Sequence, residues 1–130
     1  MKLIRTERGW AGHFCCSDRC LFRRNTLLEY GETRIVISTV GLMQDCRNEG
    51  VFEPIECNRY YETMVFHAKR TANRYWDADL EREVAFSSPW GISEKDAEDK
   101  ANDMHEVVVD EIGRRLKSGD IAQEAADGNV

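Results

Sequence analysis

The densest group of reactive side chains lies at His13-Phe14-Cys15-Cys16-Ser17-Asp18-Arg19-Cys20. Imidazole and thiolate are good zinc ligands, and the spacing of Cys16 and Cys20 suits a tetrahedral site. His13, Cys16 and Cys20 are therefore the candidate metal set, with zinc as the cofactor to consider. A structural zinc site needs a second ligand pair, and Cys46, Cys57, His67 and His105 do not form one. The plainer reading is buried, reduced thiols with no cofactor. A catalytic cysteine is the other reading. Arg19, Arg23 and Arg24 would lower the pKa of Cys16 or Cys20, and His13 or His67 would act as base.

Arg23, Arg24 and Asn25 precede a hairpin, where guanidinium groups can hold a phosphate or carboxylate by two hydrogen bonds. Arg59, Tyr60 and Glu62 lead into a strand. Alternation there groups Glu62 with Met64 and Phe66, so its carboxylate needs a partner such as Arg59 or carries a perturbed pKa. A structural ion pair and a general base are both open. The catalytic candidates are thus Cys16, Cys20, His13 and Glu62. The binding candidates are Arg23, Arg24, Asn25, Arg59, Tyr60 and His67. His105-Glu106 lacks the second histidine of a zinc-protease helix, because Val109 stands at that position. His105 reads instead as a hydrogen-bonded histidine on the edge of a helical stripe. The sequence carries no P-loop, GxGxxG, GxSxG or CxxC motif. Whether the protein is an enzyme stays open at this point.

These side chains need a scaffold, and the pattern predicts one. Asn25–Tyr30 and Thr33–Val40 flank Gly31-Glu32 and read as a β-hairpin, the second strand apolar on both faces. Tyr60–Lys69 and Leu80–Phe86 alternate as strands. Trp10–Phe14 is a strand or an ordered loop, and Thr71–Asp79 a loop. From Glu94 to Lys117 apolar residues recur every three or four positions, from Ala97 to Leu116. Ser93 is placed to cap that helix and Gly119 to end it. Strands followed by one helix indicate an α+β fold, an antiparallel sheet of about 4–5 strands covered on one face by a long C-terminal helix. The expected organisation is one compact domain over residues 1–118, with 119–130 a flexible tail.

The 130 residues carry 18 basic and 24 acidic side chains, a net charge of −6. Residues 1–92 hold 13 of each sign, so the whole excess falls in 93–130, with 5 basic and 11 acidic. That balance argues against nucleic-acid backbone binding as the main role, although Arg19, Arg23 and Arg24 leave room for a local contact. It also offers an acidic helix surface to a protein partner. No apolar run is long enough to span a bilayer. The N-terminus has no secretory h-region, and the five cysteines are an odd number. A cytoplasmic protein is expected.

Gly9-Trp10-Ala11-Gly12-His13-Phe14 and Cys20-Leu21-Phe22-Arg23-Arg24-Asn25-Thr26-Leu27 resemble uncharacterised small proteins encoded by bacteriophages and prophages. Arg59-Tyr60-Tyr61-Glu62-Thr63-Met64 and Ala101-Asn102-Asp103-Met104-His105-Glu106 extend that resemblance across most of residues 9–116. It implies a bacterial host cytoplasm and assigns no catalytic residue. The combined expectation is a phage-type accessory protein, non-catalytic, that contacts a host or phage macromolecule. The alternative is a small enzyme, or a ligand- or zinc-binding protein, with a His/Cys/Arg/Glu site at one end of the sheet.

Overall fold

The structure is a computed structural model, and it describes residues 1–9, 19–45, 47–48, 50–55, 59–84 and 90–121. Among the described residues, seven strands form one sheet: β1 (Leu3–Arg8), β2 (Cys20–Tyr30), β3 (Thr33–Gln44), β4 (Phe52–Glu53), β5 (Tyr61–Arg70), β6 (Trp76–Glu83) and β7 (Trp90–Ile92). The described helix, α1 (Glu98–Ser118), follows them. The sheet order is β1-β2-β3-β5-β6, with β4 paired to β3 and β7 paired to β5. Every pairing is antiparallel. The α+β expectation therefore stands, with more strands than the four or five expected.

The β2–β3 hairpin is the central unit. Tyr30 opposes Thr33 across Gly31-Glu32, and Gly31 takes φ 62. A positive φ at the first turn residue alone is the II′ pattern, which glycine adopts without strain. Both strands are longer than the sequence suggests. β2 begins at Cys20, because Cys20 and Phe22 pack as core residues opposite Met43 and Gly41.

Alternation sends Leu28, Ile35, Ile37 and Val65 to one face. There they meet Val108, Val109, Ile112 and Leu116 of α1 in the main core. Leu27, Val36 and Ala68 point to the opposite face and pack with Trp76 and Ala78. That contact explains why β6 starts at Trp76, inside the expected loop. Ala85 and Phe86, the end of the expected strand, lie outside the described residues, as does Trp10–Phe14. β1 escaped the sequence reading because Leu-Ile-Arg-Thr-Glu-Arg lacks an apolar period, yet it pairs along its whole length with β2.

α1 starts four residues after the expected Glu94. Ala97, not Ser93, stands at its N-cap, with no side-chain cap. Tertiary contacts override the local signal: Tyr61 Oη donates to the Lys95 carbonyl at 2.6 Å, and Ala97 is buried beside Phe22 and Tyr61. The C-terminus behaves as expected, with Gly119 left-handed at φ 87. The 21 residues of α1 make a rod of about 32 Å. Among the described residues no helix is long and apolar enough to cross a membrane.

Candidate functional site

The two faces of the sheet hold different polar groups. Under α1 runs a continuous chain of them. Glu7 and Thr26 oppose each other across β1 and β2, and Thr39 and Thr63 oppose each other across β3 and β5. His105 descends from α1 between the two pairs. Thr26 Oγ1 lies 2.7 Å from Glu7 Oε1 and 2.7 Å from His105 Nε2. Thr39 Oγ1 lies 2.6 Å from His105 Nδ1 and 2.6 Å from Thr63 Oγ1.

The carboxylate sets the direction of the chain. Glu7 only accepts when ionised, so the Thr26 hydroxyl donates to it and accepts from His105 Nε2–H. Nδ1 is then the bare nitrogen and accepts from Thr39, which accepts from Thr63. His105, Thr26 and Thr39 are 0% exposed. Burial, then the charge of Arg24, lowers the His105 pKa to about 4. The ring is neutral at pH 7, consistent with that tautomer. The ring is closed to solvent.

Charges close the rim of this network. Arg24 grips Glu7 through Nε and Nη2 at 3.0 and 2.9 Å and reaches Glu106 at 2.8 Å. Arg5 holds Glu106 at 2.9 and 2.6 Å. The hydrogen bond from Arg5 is the main cause of a Glu106 pKa lowered to about 2. Burial pushes Glu7 upward, but the bonds from Arg24 and Thr26 keep it below its ordinary value.

The opposite face carries the residues singled out by sequence. Register places Arg8, Asn25, Ser38 and Met64 in one row, and Arg23, Val40, Glu62 and Gly91 in the next. Asn25 Oδ1 accepts from Arg8 Nε and Nη2 at 3.0 and 2.7 Å. Another Arg8 nitrogen donates to the Trp76 carbonyl, which ties β1 to β6. Glu62 is 6% exposed. Its Oε2 lies 3.5 Å from Arg59 Nη1. The Arg59 stem lies where a Cβ on Gly91 would sit, 2.5 Å from Arg59 Cδ, so only glycine lets it approach Glu62 this way.

Arg23, Asn25, Arg59 and Glu62 therefore share a region. Arg24, expected beside Arg23, points the other way because successive strand residues alternate faces. It does bind a carboxylate bidentately, but an internal one. Tyr60 packs with the Phe22–Tyr61 cluster, under the Lys95 ammonium at 5.6 Å. His67 follows Val65 on the helix-side alternation, opposite Ile35, and burial lowers its pKa. Cys20 is 1% exposed among Val40, Met43 and Ile55. His13, Cys15, Cys16, Cys46 and Cys57 lie outside the described residues. Among the described residues no three His, Cys, Asp or Glu side chains gather to hold a metal ion.

Two hollows border other regions. One of ≈ 570 Å³ lies between β1 and α1, lined by Leu3, Leu28, Val107 and Gly113. The other, of ≈ 670 Å³, lies at the start of α1 beside Leu21, Leu42 and Phe52. Neither is lined by Arg23, Asn25 or Glu62. Comparison with known proteins adds no relative: no family model matches the chain, and neither a curated protein nor a solved structure does.

Proposed function

We propose that the protein is a non-catalytic binding protein, a phage-type accessory factor that contacts a host or phage macromolecule in the bacterial cytoplasm. The observation that carries this reading is the enclosure of His105. The imidazole best supplied with hydroxyl and carboxylate partners is fully buried, and both of its nitrogens are committed to threonines. An arrangement that would be catalytic in a cleft is structural here. The solvent side of α1 carries acidic charge, with Glu98, Asp99, Asp103 and Asp110 exposed.

Affinity capture tests the proposal. Tagged protein is expected to retain a specific macromolecule from a bacterial lysate at low salt, released by excess untagged protein. Retention of nothing that untagged protein displaces overturns the reading. The rows of Arg23, Asn25, Ser38 and Glu62 favour a second reading, a small-ligand binder or small enzyme, with zinc on His13, Cys16 and Cys20 as its metal form. Metal content after purification without chelator, and thiol titration against pH, test that reading.

A further inference from the structure

The β5–β6 hairpin tip differs from the rest of the surface. Residues 69–76 read Lys-Arg-Thr-Ala-Asn-Arg-Tyr-Trp, three cations and two aromatics with no carboxylate, in a chain of net charge −6. Lys69, Arg70 and Arg74 are exposed, and none of the three forms an ion pair among the described residues. Eight other described arginines each sit within 4.0 Å of a carboxylate. Lys69 stands opposite Asp77 and Arg70 opposite Trp76 across β5 and β6, so Arg70 and Arg74 are the tip cations with no carboxylate across from them.

The tip is also shaped. Thr71 N donates to the Tyr75 carbonyl at 2.8 Å, and Arg74 N donates to the Thr71 carbonyl at 2.9 Å. Arg74 takes φ 68, the left-handed conformation that reverses the chain. The turn leaves Tyr75 47% exposed. Behind it, Trp76 is anchored in the Leu27–Val36–Ala68 cluster. The Arg34 and Arg70 guanidinium carbons lie 4.3 and 5.6 Å from its ring centroid. An arginine stacked on an indole loses rotamer freedom and presents its N–H edge in a fixed plane.

We infer that this tip contacts single-stranded nucleic acid, phosphates meeting Arg70 and Arg74 while a base stacks on Tyr75. The inference rests on the binding-protein reading and names a partner class for it. Unpaired cations next to an exposed ring are what single strands require, since unstacked bases offer π-faces that a duplex hides. An acidic peptide would use the cations and leave the ring idle. The acidic remainder of the chain repels a polyanion elsewhere, so the contact is local and salt-sensitive. Neutralising about two phosphates of a single strand gives a log–log salt slope of roughly −1.4.

The test uses the full chain and fluorescent oligothymidylate of about 20 nucleotides in about 50 mM salt, read by anisotropy. Saturable binding is expected, with the shallow slope given above. Arg70→Glu with Arg74→Glu weakens binding by more than about tenfold, because each reversal removes a phosphate contact and adds repulsion. Tyr75→Ala weakens it by about tenfold through lost stacking. Arg47→Glu makes one such charge reversal at an exposed site away from the tip and leaves binding unchanged. These positions are exposed, and circular dichroism confirms that each variant is folded. Absence of binding overturns the inference. So does an unaffected Tyr75→Ala variant together with equal competition by polyglutamate, which would make the tip a charge-only surface for acidic proteins. Tighter binding of a duplex of the same length also overturns it. If oligothymidylate fails while capture still yields a specific protein, the binding-protein reading survives alone.

Discussion

Both faces of the sheet bury polar groups, but they bury different kinds. Under α1 the buried groups are neutral: three threonines joined by an imidazole, with the ions Arg5, Arg24, Glu7 and Glu106 kept at the rim. On the other face the ions themselves are buried, Arg8 against Asn25 and Glu62 beside Arg59. Hydroxyl–imidazole bonds cost little to bury once each donor has an acceptor. A buried carboxylate costs far more, and an apolar residue of similar size often serves stability as well. The helix-covered face is thus explained by folding alone. The opposite face buries ions at a cost that apolar residues would avoid, which makes Glu62 a better candidate for a selected role than His105.

The largest expected effect lies under the helix. His105→Ala opens a cavity between α1 and the sheet and removes a partner from two buried hydroxyls. It should destabilise by about 3–4 kcal/mol in urea unfolding. His105→Leu refills the space. Thr26 still donates to Glu7, and Thr39 still reaches Thr63, so more than half of that loss should return. A leucine variant as unstable as the alanine one would show that the hydrogen-bond chain, not the filled volume, holds α1 in place.

The second effect is a pH dependence confined to one face. The folded-state pKa of His105, about 4, lies below its ordinary value of 6.5. Above about pH 6.5 the ring is neutral in both states and its contribution is intact. As pH falls from 6.5 toward 4 the unfolded chain takes up a proton that the folded chain refuses. Stability then drops by as much as about 3 kcal/mol over that window. Glu106 has a depressed pKa of its own, which adds loss only below its ordinary value of 4.5. His67 shifts in the same direction as His105. The acid loss should therefore shrink sharply in His105→Leu, and imidazole NMR titration should assign the remainder to His67. An unchanged profile in the leucine variant would place the acid sensitivity outside this network.

The same contrast marks how far the sequence could be read. The α1 stripe was legible because a three-to-four period is a local property, and so was the Gly31-Glu32 hairpin. The partners of His105 were not. Thr26, Thr39 and Thr63 look like ordinary β-branched strand residues, and only the register of three strands brings them beneath one histidine. β1, β4 and β7 were missed for a related reason: they are short or polar, and pairing rather than composition makes them strands. On the open face, alternation along Tyr60–Lys69 groups Glu62 with Met64 and Phe66, and Arg59 stands beside it as its ion-pair partner. Separating Arg23 from Arg24 needed the knowledge that β2 already runs through both.

The smallest effect bears most directly on the open face. Glu62→Gln removes the charge facing Arg59 and should cost about 1–2 kcal/mol, less than a fully enclosed pair because Arg59 keeps some solvent contact. Replacing both, Arg59→Met with Glu62→Met, keeps the unbranched stem over Gly91 and fills the same space without ions. That double variant should match the parent within about 1 kcal/mol or exceed it. Parity would mean that stability does not demand this pair, and the reason for a buried carboxylate opposite Val40 would have to be sought in what the face binds. A double variant much weaker than Glu62→Gln would instead make Arg59–Glu62 a structural tie between β5 and β7. The open face would then be closed by the same logic as the one beneath α1.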